Sequence, residues 1–361
     1  MEVVNFSAGP AVMPRSVLER TREALARTPP VATTSHRGPA YAEIHASVIA
    51  KVRGLLGLED RFEVLLLQGG ASQVFATAPL NFLGPGRRAG YVMTGVWSDK
   101  ALAEAQRVSA LVGGEAVACG GRRVDGAYVS VPSDAEIEVS EGDAYVHVTS
   151  NNTIIGTQLH RTPNLTAPLV ADMSSDILSR PIPDINRFGL IYAGAQKNLG
   201  PAGVTLVLVR KDLLERAGEV PKIFSFATHA KAGGLYHTPP SLAVQMSDFV
   251  LDWISGSGGL EGMARRNEAK QRALYSAIDA APDFFRSVVR IEDRSWMNVT
   301  FRLPSPELEA SFVREAEAEG MIGLKGHRSV GGIRASLYNA IELAEVERLI
   351  EFMKDFAGRN G

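Results

Sequence analysis

Tyr192-Ala193-Gly194-Ala195-Gln196-Lys197-Asn198-Leu199-Gly200-Pro201-Ala202-Gly203 is the stretch on which the fold turns. An apolar run, Leu190–Ala193, ends in glycines and small residues, with one lysine among them. A lysine ordinarily belongs to the solvated surface. Here its small neighbours admit a planar ligand, and the apolar flank favours the neutral amine that attacks a carbonyl. Upstream, Val170-Ala171-Asp172-Met173-Ser174-Ser175 closes a second apolar run, 25 residues before Lys197. That spacing is about one strand–helix–strand repeat, so both side chains would meet at the crevice outside the carboxyl ends of parallel strands. An ionised Asp172 there would hold the N–H of a pyridinium ring, and it would equally serve as a helix N-cap.

The same pattern extends outward. Glu63–Leu67, Ala144–Val148 and Val204–Val209 are apolar without polar alternation, as strands covered on both faces are. Strands alternating with helical stretches from about residue 62 to 210 predict a mostly parallel α/β sheet. Leu66-Leu67-Gln68-Gly69-Gly70-Ala71-Ser72 reads as a strand, a Gly-rich turn and a helix start. Such a turn presents backbone N–H groups to a phosphate, although Gly-Gly also marks ordinary tight turns. It lacks the lysine of a P-loop and the spaced glycines of a dinucleotide fingerprint. Trp97 falls in a strand-to-helix turn, where it would stack on a ring or pack in the core.

Composition bounds the rest. A chain of 361 residues exceeds the usual size of one core, so two packed units are expected. The punctuation Ser255-Gly-Ser-Gly-Gly259 divides it. A polar helix over 260–281 follows, then a strand over Trp296–Leu303, a helix capped by Ser305 with Pro306 in its first turn, and a strand over Gly332–Leu337. The last helix places Val346, Leu349, Ile350, Met353 and Phe356 on one face. Near the N-terminus, Ser16-Val-Leu-Glu19 reads as a capping box opening a helix with Val17, Leu18 and Leu25. The expected division is a large domain over 16–256 and a small one over 257–361 with 1–15.

Net charge is −2, from 38 basic and 40 acidic residues, without the basic surplus of a nucleic-acid binder. Cys119 is the single cysteine, so neither an intrachain disulfide nor a cysteine-based zinc site is expected, and no metal. The N-terminus has no signal-peptide pattern and no apolar run reaches a membrane span, so the expected compartment is the cytoplasm. In such a balanced chain, Ser35-His36-Arg37-Gly38, Gly326-His327-Arg328 and Arg334 are informative. Together they would form a receptor for two anionic groups; separately they would be solvated surface charge.

These residues carry a family resemblance that runs almost end to end. Phe6-Ser-Ala-Gly-Pro10, Ser35-His-Arg-Gly38, Ile177-Leu-Ser-Arg-Pro181, Ala193-Gly-Ala-Gln-Lys-Asn198, Gly200-Pro-Ala-Gly203, Thr238-Pro-Pro240, Gly323-Leu-Lys-Gly-His-Arg328 and Gly331-Gly-Ile-Arg-Ala-Ser-Leu-Tyr-Asn-Ala340 appear in order. The chain resembles the phosphoserine aminotransferases, fold-type-I enzymes dependent on pyridoxal 5′-phosphate. The resemblance implies a seven-stranded, mostly parallel sheet in the large domain, a smaller α+β C-terminal domain, and a cytoplasmic homodimer active in serine biosynthesis. Some members also act in pyridoxine biosynthesis.

It further implies that Lys197 holds the cofactor as a Schiff base and shuttles the substrate Cα proton. Asp172 would pair with the ring nitrogen, Trp97 stack on the ring, and Thr153 bond its hydroxyl. Ala71, Ser72 and Gln196 would take the cofactor phosphate, with His237 and Thr238 reaching it from the neighbouring subunit. Arg334 would take the substrate α-carboxylate. His36, Arg37, His327 and Arg328 would take the distal phosphate or the glutamate γ-carboxylate, His36 and Arg37 coming across the dimer. Two positions depart from the pattern: His237 stands where relatives usually carry asparagine, and the Gly-Gly-Ala-Ser turn lacks the arginine some carry. Three rival readings stand beside this one: a cysteine desulfurase, for which Cys119 is the sole thiol; an alanine–glyoxylate aminotransferase, which needs no two His-Arg pairs; and a noncatalytic binding protein for a phosphorylated metabolite.

Overall fold

The computed structural model describes residues 3–361. Its strands, in chain order, are β1 (Val4–Asn5), β2 (Phe62–Leu67), β3 (Arg88–Val92), β4 (Glu115–Gly120), β5 (Tyr145–Thr149), β6 (Leu169–Asp172), β7 (Phe188–Gly194), β8 (Thr205–Arg210), β9 (Asn298–Phe301), β10 (Met321–Ile322) and β11 (Ile333–Ser336). The helices are α1 (Arg15–Ala26), α2 (Pro39–Leu56), α3 (Gly70–Phe82), α4 (Val96–Val112), α5 (Lys211–Leu214), α6 (Phe226–Lys231), α7 (Ser241–Gly256), α8 (Gly259–Asp279), α9 (Pro306–Ala318) and α10 (Leu343–Asn360). Among the described residues no helix is long and apolar enough to cross a membrane.

Seven strands form one sheet in the order β2-β8-β7-β6-β5-β3-β4. Neighbours are parallel except at β8, which runs antiparallel to both β2 and β7. The apolar runs are continuous because both faces are buried. Val64, Leu66, Val148, Ala171, Ile191 and Leu208 point into a core closed by α1, α2 and α7. Leu65, Leu67, Tyr145, Val170, Tyr192 and Val207 point into another closed by α3 and α4. The strand period of two thus sorts each run between two layers of helix.

A third core joins Val4 and Phe6 to β9, β11, α9 and α10. The chain's first strand therefore pairs with its late one, β1 with β10, in parallel. Helix α8 gives Leu260 and Met263 to the first core and Leu274, Tyr275 and Ile278 to the third, so one rigid element spans both.

Two strands escaped the apolar reading. β4 is the sheet edge and buries only Ala116 and Cys119, and β3 opens on Arg88 and contains Gly90. A Cβ on Gly90 would lie 2.7 Å from Cys119 Sγ, so the glycine lets two strands and a thiol pack together. The Ser16 capping box is corrected. Helix α1 opens at Pro14 with no side-chain cap, and Ser16 lies inside its first turn. Its buried stripe is Val17, Thr21 and Ala24, with Leu18 and Leu25 exposed. Ser305 does cap α9, accepting from Leu308 N at 3.3 Å, with Pro306 first in the helix.

Lys270 on α8 is buried, and its Nζ donates to Leu337 O at 2.9 Å and Tyr338 O at 2.8 Å, pinning the exit of β11. Burial lowers its pKa from 10.5 to about 7, a value at which the neutral amine still has two N–H groups for two carbonyls. Between those values the unfolded chain holds a proton that the folded one lacks, so this group favours folding more as pH rises from 7 to 10.5. Wild-type stability should rise across that window relative to Lys270→Met by at most about 1.4 kcal/mol per pH unit. Parallel pH curves for the two proteins in denaturant melts would refute this.

Candidate active site

The carboxyl ends of β6 and β7 lie side by side, with Asp172 in register with Tyr192. Asp172 is buried, and its Oδ1 accepts from Ser174 N at 2.9 Å. No helix follows β6, so this bond closes a turn over 174–178 and the helix N-cap reading does not hold. Burial raises the Asp172 pKa, opposed by the Ser174 hydrogen bonds and the charge of Lys197.

Lys197 follows β7 by one tight turn. Burial lowers its proton affinity, Asp172 and Asp176 raise it, and Arg334 lowers it further, with burial winning. The residue is only partly exposed, and the lowered proton affinity shifts its amine toward the neutral form. Gly9, at φ 141°, backs it: a Cβ there would touch Lys197 Cε at 3.7 Å. Asn198 anchors the turn, donating to Ser175 O and Ile177 O and accepting from Asn339 N at 3.0 Å.

Trp97 opens α4. Its N-cap, Gly95, has no room for a Cβ because Asn152 Oδ1 would lie 2.2 Å away. Trp97 Nε1 donates to Thr153 Oγ1 at 2.9 Å. The Thr153 hydroxyl, satisfied as an acceptor, keeps its own O–H to donate. Arg334, on β11, donates from Nη1 to Thr153 O at 3.0 Å, which ties ring platform, hydroxyl and guanidinium into one wall. Arg334 Nε is buried without a partner, and burial lowers its pKa. Buried donors left open in this way suit an incoming carboxylate.

The phosphate turn has the geometry its glycines suggest. Gly69 and Gly70 adopt φ 95° and 69°, and a Cβ on Gly69 would collide with Gln73 Oε1 at 1.8 Å. Gly70 N donates to Thr205 Oγ1 at 2.8 Å, so the open first-turn amides of α3 begin at Ala71 and Ser72. The Gln196 side chain folds over Gly194, where a Cβ would lie 2.5 Å from its Oε1.

The cationic residues fall into two groups within one chain. His327 feels Arg334, Arg328 and Lys100, and Lys100 Nζ sits 4.5 Å above the Trp97 ring. Burial, then His229 and His36, lower the proton affinity of His237, whose ring meets His229 edge-on at 5.2 Å. Arg37 is exposed. Thr238 O accepts from Gln68 Nε2 at 2.8 Å, and His237 lines a cavity of about 220 Å³ with Gln68 and Gln73 beside the phosphate turn. His36 Nε2 and His237 Nδ1 are buried without partners.

Sequence reasoning missed Lys100, Ser150, Asn152 and Asp176. Lys100 lies one turn beyond Trp97 and Asp176 four residues beyond Asp172, spacings that carried a usable signal. Cys119 is buried and its thiol is pushed up to about 12, mainly by burial, far from the reactive range of a desulfurase thiol.

These residues fit pyridoxal phosphate. A lysine whose proton affinity burial lowers, a buried carboxylate, a turn with two glycines at positive φ and an arginine with an unpartnered Nε make up this site. The class-V aminotransferase family model matches residues 3–349. The phosphoserine aminotransferase of Herpetosiphon aurantiacus is 49% identical over all of both chains, and that of Bacillus subtilis 45% identical over 99% of this chain and 98% of that one. The solved phosphoserine aminotransferase from Bacillus circulans subsp. alkalophilus superposes with a TM-score of 0.94 at 45% identity, covering 100% of this chain and 99% of that one. An alanine–glyoxylate aminotransferase from Nostoc, at 16% identity and a TM-score of 0.75, shares the fold. From the crevice and from these likenesses together, the chain belongs to the class-V aminotransferases, within the fold-type-I enzymes dependent on pyridoxal phosphate.

Proposed function

We propose that this chain is a phosphoserine aminotransferase of serine biosynthesis. It moves an amino group reversibly between glutamate and 3-phosphohydroxypyruvate to give 2-oxoglutarate and O-phospho-L-serine. The observation that carries this reading is Lys197, set by the turn after β7 near the buried Asp172, with burial lowering the proton affinity of its amine. Bound pyridoxal phosphate supplies an electron sink for the pair left when the substrate Cα–H bond breaks.

The chain's own residues do the rest. The Lys197 amine, its proton affinity lowered by burial, would accept the Cα proton and return it, as a general base then acid. Asp172 stays ionised to hold the ring nitrogen's proton, which offsets the cost of its burial. Trp97 covers the ring face, and Thr153, oriented by Trp97, donates to the ring hydroxyl. Ala71, Ser72 and Gln196 take the phosphate at the positive end of α3. Arg334 clamps the substrate α-carboxylate through its open edge. His327 and Arg328, with His36 and Arg37 of a second copy, take the distal anion; flexible cations serve both a phosphate and a carboxylate better than a shape-tight pocket. In this cytoplasmic homodimer, His237 and Thr238 approach the neighbouring cofactor phosphate, and the open His237 Nδ1 suits that contact.

The test is an absorbance spectrum of the purified holoenzyme before and after adding O-phospho-L-serine. The visible cofactor band is expected to give way to the near-ultraviolet band of the aminated form. A band that ignores phosphoserine but responds to alanine would remove the substrate assignment. No band after adding the cofactor would leave the noncatalytic binding protein in front.

A further inference from the structure

Lys197 is backed by the N-terminal segment of the chain. A Cβ built on Gly9 would lie 3.7 Å from both Cγ and Cε of Lys197, so the Gly9 backbone runs along the lysine's methylene chain. Gly9 holds φ 141°, a conformation that side chains disfavour. This strap is fastened along its length. At one end Phe6 is fully buried, its N–H donates to Ile322 O at 2.9 Å and its carbonyl accepts from Ser336 N at 3.1 Å. At the other end Ala11 N donates at 2.8 Å to the carbonyl of Gln196, the lysine's chain neighbour. Between these ends the Tyr338 hydroxyl donates to Ala8 O at 2.8 Å, one residue before Gly9.

Tyr338 is buried and lies just past the end of β11, the strand that carries Arg334. Its hydroxyl is itself held by a buried amide, since Asn298 Nδ2 donates to Tyr338 Oη at 3.2 Å and to Ser336 Oγ at 3.0 Å. Asn298 Oδ1 accepts at 2.8 Å from Nδ2 of Asn151, which lies two residues before Thr153. The same Asn151 Nδ2 donates to Ser175 Oγ at 2.8 Å. One line of hydrogen bonds thus runs from the Thr153 loop through Asn298 and Tyr338 to the strap behind Lys197. Burial raises the Tyr338 pKa, so the phenol keeps its proton and remains the donor to Ala8 O. The mechanism above gives Tyr338 and Asn298 nothing to do, and a satisfied buried network of this kind rigidifies what it joins.

We propose that Tyr338 is a positioning residue for Lys197: its hydroxyl pins the Ala8–Gly9 backbone against the lysine side chain and so limits where the amine can point. The inference rests on the reading of Lys197 as the cofactor-bearing base. Tyr338 exchanges no proton with substrate and acts through the strap alone. Lysine carries its amine on a flexible stem, and a backbone wall along Cγ and Cε removes the rotamers that would sweep through it. Proton transfer needs that restriction, because a misplacement of about 1 Å costs roughly 10²-fold in rate. Removing one hydroxyl loosens the strap without deleting it, so part of that cost is expected.

The test is Tyr338→Phe, which keeps the ring and removes the hydroxyl. In cofactor-free protein carrying isotope-labelled lysine, the NMR signal of the Lys197 Cε–H groups is identified by its loss in Lys197→Arg. In the phenylalanine variant that signal should move toward the narrow, averaged position of mobile surface lysines. In the loaded enzyme kcat should fall about tenfold, with the phosphoserine KM nearly unchanged because Arg334 and the distal cations are untouched. The kinetic isotope effect with Cα-deuterated phosphoserine should rise, as proton transfer slows relative to the other steps. Gly9→Ala strains the strap while Tyr338 keeps its hydroxyl, and it should move the lysine signal and kcat in the same direction. It decides the matter if the phenylalanine variant fails to fold. A Lys197 signal and an isotope effect equal to wild type in folded variants would overturn the proposal, as would a kcat loss that tracks only the fraction of folded, loaded protein. If the wild type itself shows no band that borohydride fixes to Lys197, the reading of Lys197 fails instead, while the NMR signal still reports on the strap.

Discussion

Lys197→Ala is expected to fold, to bind pyridoxal phosphate weakly, and to lose transamination by roughly 10²–10⁴-fold or more, the usual contribution of a positioned general acid–base. At about 1.4 kcal/mol per tenfold, that is about 3–5 kcal/mol of transition-state stabilisation. The loss is large because the neighbouring groups are engaged elsewhere: Asn198 is committed to three backbone groups, Lys100 Nζ sits over the Trp97 ring, and Arg334 stays protonated. Folding should not suffer, because burial already disfavours the charged form of Lys197 and its removal relieves that cost. Borohydride should fix the cofactor to the wild-type chain at Lys197 and leave the variant unlabelled, with both proteins melting at similar temperatures. A variant that turns over phosphoserine near the wild-type rate, or is tagged at another lysine, would remove Lys197 from the centre of the mechanism.

Asp172→Asn should separate activity from stability. The amide can keep the local role, accepting from Ser174 N as Oδ1 does at 2.9 Å. It cannot supply charge to a ring nitrogen. Losing one member of a buried ion pair costs about 3–5 kcal/mol, so kcat should fall by roughly 10²–10⁴-fold. In the cofactor-free protein the sign reverses. Burial raises the Asp172 pKa, so the folded chain binds this proton more tightly than the unfolded chain. Its contribution to stability is present below the unfolded value and is lost as pH rises through the folded one. The asparagine variant escapes that loss and should be at least as stable as wild type near neutrality. Equal activity, or a destabilised apo variant with intact activity, would make Asp172 a structural turn residue and no more.

Much of this site was legible because its residues carry their chemistry in local context. Lys197 and Asp172 each close an apolar run, and a strand's end in a parallel sheet is where ligands are met. Gly69-Gly70-Ala71-Ser72 announces its backbone shape, since positive φ demands glycine. The assignments of Trp97, Thr153 and Gln196 came from resemblance; composition alone left them as core or loop. The Ser16 capping box misled because Pro14 takes the N-cap position, and β4 was silent because this edge strand buries only Ala116 and Cys119 and so lacks an apolar run.

By itself the sequence determined the α/β class and the sheet buried on both faces, and it singled out Lys197 and Asp172 as the candidates for the cofactor chemistry. Period, glycine placement and apolar runs are local properties that a chain writes in order. The tertiary structure alone decided which distant groups share a field. It set Arg334 on Thr153, 181 residues away, and brought Lys100 over Trp97 beside His327. It also tied the turn bearing Asp176 to the lysine turn through Asn198. Electrostatic coupling depends on distance and burial across strand crossovers and helix packing, and no spacing along the chain encodes either.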